Sequence, residues 1–103
     1  MIDIWKVKRI EPRIALTLPV VLEGTDVDNV QFREETTTEN VSKHGACLIV
    51  SHKMTVGSTV TINGSQGKFK SEAVVKGIWI DDTDRKTKIG IQFVGPVKNW
   101  VVT

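Results

Sequence analysis

This sequence predicts an all-β chain closed into a small antiparallel barrel, and three observations carry that prediction. Apolar residues recur at every second position through most of the chain. No segment shows the apolar stripe of an amphipathic helix. Turn-forming residues punctuate the chain at short intervals, and about six short strands spaced this way suit a barrel, in which closure removes exposed edges. The expected layout is one domain over residues 1–103, with a flexible N-terminal arm over about residues 1–13 and a barrel over about residues 14–97.

The elements follow in order. "RIALTLPVVLEG" reads as a strand, with Ile14, Leu16, Leu18 and Val20 alternating against Ala15, Thr17 and Pro19. Proline cannot donate to a ladder, so it predicts an edge position or a bulge. "NVQFREETTTENVS" alternates more weakly, but its threonine run favours extended backbone. "ACLIVS" is a short buried strand, and "STVTI" is the next. Asn63-Gly64 then signals a hairpin, because both residues tolerate positive φ. "KFKSEAVVKGIWI" and "TKIGIQFV" form a further pair joined by the turn "DDTDRK". Trp79, in the alternating "GIWI", is expected in the barrel core or packed on its outer face.

Composition narrows the function classes. Hydrophobic content of 40% and charged content of 25% are those of an ordinary globular protein. A net charge of +2 permits an anionic ligand but falls short of the dense basic face that a nucleic acid polymer requires. The single cysteine, Cys47, cannot form an internal disulfide and sits in the apolar run "ACLIV", as a buried structural thiol does. The N-terminal stretch loosely mimics a signal peptide. However, Asp3 and Glu11 interrupt its basic part, Thr17 and Pro19 interrupt its apolar part, and no small-residue cleavage site follows. No run approaches the roughly 18 apolar residues of a membrane span, so a cytoplasmic protein with no membrane partner is expected.

Signatures of catalysis and metal binding fail one by one. His44, His52 and Cys47 lack the spacing of a zinc site. "DDTD" opens like a calcium loop but lacks the later glycine and bidentate glutamate, and reads as a solvated hairpin turn. "GSQGK" is too short for a phosphate loop and runs into a strand. No nucleophile–base pair can be assembled, so the expectation is a protein that is not an enzyme and has no cofactor or metal.

The polar residues are more informative. "KVKRIEPR" places Lys6, Lys8, Arg9 and Arg13 just before the first strand, with Pro12 stiffening the segment into an extended or turning arm. Guanidinium groups on such an arm can converge on one anion, because their planar forks bind phosphate and their faces stack on bases. Further on, Asn40, Ser42 and Gly45 stand at N-x-S-x-x-G spacing directly before the apolar run "ACLIV". R-x-x-x-R followed by N-x-S-x-x-G in an all-β chain resembles the PilZ domain family. "AVVKGIWI" and "KTKIGIQFVGP" resemble that family's last barrel strands, and the resemblance runs over roughly residues 8–97.

That resemblance implies a six-stranded barrel acting as a receptor for the bacterial second messenger cyclic di-GMP. By the same resemblance Arg9 and Arg13 contact its phosphates and guanine faces, and Asn40 and Ser42 hydrogen-bond guanine edges. Gly45 allows close approach or positive φ, and Lys8 touches ligand and influences whether one or two molecules bind. The ligand would bridge the arm to the loop on the barrel, changing the surface offered to a downstream protein yet to be identified. Trp5 and Trp100 are candidates for that surface, with barrel capping the plainer expectation. Many family members carry a helix after the last strand. Here only "VKNWVVT" follows, so a C-terminal helix is expected to be short or absent. The alternative is a PilZ-like interaction module that binds no nucleotide.

Overall fold

The barrel is closed by one long strand that serves two partners. The computed structural model describes residues 12–64 and 67–102. Its strands are β1 (Ile14–Ala15), β2 (Pro19–Thr25), β3 (Gln31–Ser42), β4 (Gly45–Ile49), β5 (Thr59–Gly64), β6 (Lys70–Ile80) and β7 (Thr87–Phe93). All pairings are antiparallel and give the order β1-β3-β2-β5-β6-β7-β4, with a further β3–β4 pairing that completes the ring. Six strands thus close on themselves, as expected, and β1 is a short addition along β3. No helix occurs among the described residues. The expected arm lies outside them as far as Glu11.

In β3, Gln31–Thr37 pair with β2, whereas Thr38–Ser42 pair with β4. Alternation sends Leu22, Val41, Leu48, Ile62, Val75 and Ile89 inward, where each is fully buried. Burying side chains of this size stabilises by about 1.5–3 kcal/mol each. Trp100 covers the core from the C-terminal segment. Its ring meets Phe69 and Phe93 edge-on, at centroid distances of 5.0 and 4.7 Å. Its indole N–H donates to the Ser42 carbonyl at 2.7 Å.

The single strand expected over "RIALTLPVVLEG" is broken in two. Pro19 opens β2, where a missing N–H is tolerated. The break at Leu16–Leu18 is mended by Thr38, which is 1% exposed. Its hydroxyl accepts from the Leu18 N–H at 2.9 Å and donates to the Leu16 carbonyl at 2.7 Å. Its own N–H donates to the Leu18 carbonyl at 3.0 Å. Backbone groups that lack a ladder partner there are satisfied by one side chain and its amide.

The hairpin signalled by Asn63-Gly64 forms between β5 and β6, but its turn lies further on. Both residues belong to β5, and among the described residues of the connection the positive φ is at Gly67, at 73°. Gly64 packs closely on Phe69: a Cβ there would stand 3.0 Å from the ring, tighter than ordinary contact. The other expected hairpin forms as read, with the Asp81 N–H donating to the Lys86 carbonyl at 3.0 Å.

Candidate ligand-binding cleft

Because Val41 and Ala46 point inward, their neighbours Asn40, Ser42, Gly45 and Cys47 face outward from β3 and β4. Asn40 and Ser42 are therefore strand residues, and only Lys43 and His44 form the turn that joins them to Gly45. The polar loop expected before the strand is in fact the outer face of a tight hairpin.

Two register shifts aim further residues at the same face. In β6 the ladder slips between Val75 and Gly77, leaving Lys76 unpaired, and beyond it Trp79 stands outside while Ile78 packs against the core. The Trp79 ring comes within 3.6 Å of the Cβ positions of both Gly77 and Gly90, so the indole lies across a surface cleared of side chains. In β3 the slip falls between Thr38 and Asn40, which makes Glu39 the extra residue.

Together these residues enclose an open cleft of about 530 Å³. Arg13, Asn40 and Ser42 line one wall, Lys76, Trp79 and Gln92 line the other, and glycines at 45, 77 and 90 keep the space between them clear. Arg13, Asn40, Ser42 and Gly45, expected from sequence to act together, come from three separate segments to one cleft. Lys8 and Arg9, expected with them, lie outside the described residues. Gly45 is fixed by close approach, not by positive φ. A Cβ there would overlap the Ile91 carbonyl oxygen, and its φ is not left-handed.

Beside the cleft sits an ion cluster around one buried lysine, which sequence reading missed. The Lys88 Nζ lies 2.9 Å from Glu39, 2.9 Å from Asp81 and 3.1 Å from Asp84, with its side chain only 9% exposed. The "DDTD" turn is thus not merely solvated, since two of its carboxylates hold a lysine. The hydrogen bond from Lys88, reinforced by the Thr83 N–H, lowers the Asp81 carboxyl to about 2. The same partners, Asp81 first and then Glu39, hold Lys88 well above the ordinary lysine range. Asp84 is lowered chiefly by the Lys86 N–H. Burial pushes the Cys47 thiol up, which disfavours a reactive thiolate.

Trp79, Lys76 and Gln92 were not singled out as site residues from sequence. In "VKGIWI" it is the unpaired Lys76 that breaks the alternation and moves the tryptophan to the outer face. Trp100 is buried in the core cluster, as the plainer expectation of barrel capping has it, and so is not part of an exposed partner surface. Trp5 lies outside the described residues. His52 stands away from the cleft, stacked on Phe32 at 4.0 Å and bonded to Glu34 at 2.9 Å.

Comparison with known proteins adds three findings. The PilZ domain model matches residues 8–99. The inhibitor of motility MotI/DgrA of Bacillus subtilis superposes with a TM-score of 0.71 at 18% identity, covering 86% of this chain and 44% of that one. The PilZ domain of YcgR from Escherichia coli, solved with c-di-GMP, superposes with a TM-score of 0.58 at 19% identity, covering 85% of this chain and 79% of that one. This chain thus spans less than half the length of MotI/DgrA. No match was found among curated proteins.

Proposed function

The chain belongs to the PilZ domain family, and on that premise we propose that it is a receptor for cyclic di-GMP, bound on the outer face of the barrel. The observation that carries the proposal is the convergence of Arg13, Asn40, Ser42 and Gly45 on one open cleft that also offers an exposed indole. Its volume of about 530 Å³ falls within the range usual for small-molecule sites.

The chemistry of the cleft suits the ligand. A cyclic dinucleotide presents two phosphates and two large aromatic bases. Arg13 supplies a guanidinium that can fork onto a phosphate or stack on a base, and Lys76 supplies a second positive charge on the opposite wall. Asn40 and Ser42 offer directional hydrogen bonds for guanine edges. Trp79 offers a π surface of the kind on which bases stack. Gly45 lets β4 lie against β7, so that the polar groups of β3 and the indole of β6 flank one space. Lys8 and Arg9 would complete the site from the arm, and a ligand bridging that arm to the barrel would change the surface met by a downstream protein.

Calorimetric titration of cyclic di-GMP tests the reading. The expected result is low-micromolar or tighter binding, weakened about tenfold to a hundredfold in Arg13→Ala through loss of a charge-assisted bond of about 1.5–3 kcal/mol. Absence of both heat and thermal stabilisation at high ligand concentration would overturn it and leave an interaction module that binds no nucleotide.

A further inference from the structure

The two walls of the cleft stand on strands that are not neighbours. Asn40 and Ser42 are on β3, Gln92 is on β7, Trp79 is on β6, and β4 lies between β3 and β7. The Lys88 side chain bypasses β4. From β7 its Nζ reaches Glu39 on β3, the residue directly before Asn40. The same nitrogen holds Asp81 and Asp84, in the turn that follows Trp79 and Ile80. Trp79 is itself the ladder partner of Lys88. One buried ammonium therefore ties the bulge beside Asn40 to the hairpin behind Trp79.

We infer that Lys88 is a positioning residue for the ligand cleft, setting the spacing between the Asn40–Ser42 wall and the Trp79 wall through its bridge from Glu39 to Asp81 and Asp84. This inference rests on the receptor reading for its effect on affinity, but not for the coupling between the walls. The β3 slip that makes Glu39 an extra residue accounts for the geometry, because a bulge re-aims a side chain. Lys88 is not among the residues that line the cleft, and it acts through the strands that carry them.

Glu39→Gln gives a test whose sign separates positioning from simple charge. The substitution removes a negative charge near the site of an anionic ligand, so electrostatics alone predicts tighter binding. Positioning predicts the reverse: affinity for cyclic di-GMP reduced about threefold to tenfold, at unchanged stoichiometry and with the cooperative melt retained. Lys88→Met, which frees both ends of the bridge, is expected to reduce affinity about tenfold or more. Unchanged or tighter binding in Glu39→Gln overturns the inference, even if Lys88→Met fails to fold. A ligand-free arm uses amide and indole NMR spectra of the same variant. Loss of the bridge should shift the Trp79 indole N–H and the Gly90 amide across the cleft, as well as Asn40. Shifts confined to residues 38–42 would also overturn it. If the wild type itself binds no cyclic di-GMP, the receptor reading fails and the NMR arm still decides whether the walls are coupled.

Discussion

The two halves of β3 are built from similar residues and behave very differently. In Gln31–Thr37 the contacts are mixed: Arg33 lies 3.7 Å from Glu23, both well exposed, while Glu34 meets His52 and the Ser51 N–H and the Thr36 hydroxyl donates to the Ile49 carbonyl at 2.7 Å. In Thr38–Ser42, each residue is committed. Thr38 mends the break in the neighbouring strand, Glu39 holds Lys88, and Val41 fills the core. Asn40 and Ser42 line the cleft. The difference lies in what flanks the backbone. The second half has β1 on one edge and β4 on the other, whereas the first half pairs with β2 alone. A polar side chain acquires a fixed role where strands on both sides, and a bulge, leave it one direction to point.

That contrast can be broken most forcefully at the end of the second half, where Gly45 pairs with Ser42. Gly45→Ala should cost about 3 kcal/mol in urea unfolding, the upper part of the range for overpacking, because the overlapping Ile91 carbonyl is backbone and cannot rotate away. Ligand binding should be lost with it. Next is Thr38→Val, which keeps the shape and deletes the hydroxyl, leaving the Leu18 N–H and Leu16 carbonyl without that partner. Denaturation should show a loss of about 1–3 kcal/mol, largely restored in Thr38→Ser.

A third effect is confined to acid. Since the folded Asp81 value lies near 2, below that of an unfolded carboxylate, its contribution to stability is complete above about pH 4 and is lost as pH falls toward 2. The raised value of Lys88 leaves its charge intact across neutral and mildly alkaline pH. A carboxyl carbon NMR titration should find the Asp81 midpoint near 2; a midpoint near the free value of about 4 would mean that Lys88 does not hold it. The smallest effect belongs to the first half. Arg33→Ala should change stability by less than about 0.5 kcal/mol, because an exposed pair contributes little. A larger loss would blur the distinction between the halves.

Much of this architecture was legible in the sequence. Alternation marked the strands that carry Val41, Leu48 and Ile89, and the spacing of Arg13, Asn40, Ser42 and Gly45 marked residues that meet in one cleft. What escaped depends on contacts between distant positions. The broken first strand is held by a hydroxyl twenty residues further along, and no local pattern announces such a bond. The turn after Asn63-Gly64 was misplaced because both residues stay in the strand, with Gly64 packed closely on Phe69 and without a positive φ. The outward side of Trp79 depends on a bulge that inverts the period-two count at Lys76. The Lys88 cluster draws its carboxylates from β3 and from the β6–β7 turn, which only the closed barrel brings together.

Closure of the barrel also has a kinetic consequence. The β3–β4 hairpin is local and can form early, but the β4–β7 ladder joins residues as far apart as Ala46 and Ile91. Pairings of such high sequence separation are slow, since the entropy of the intervening chain must be lost before any contact rewards it. The cleft lies across that seam, so a nascent or partly assembled chain would hold the β3 residues yet have no opposite wall. On the receptor reading, recognition competence would arrive only once that ladder has closed, and ligand capture would report its closure.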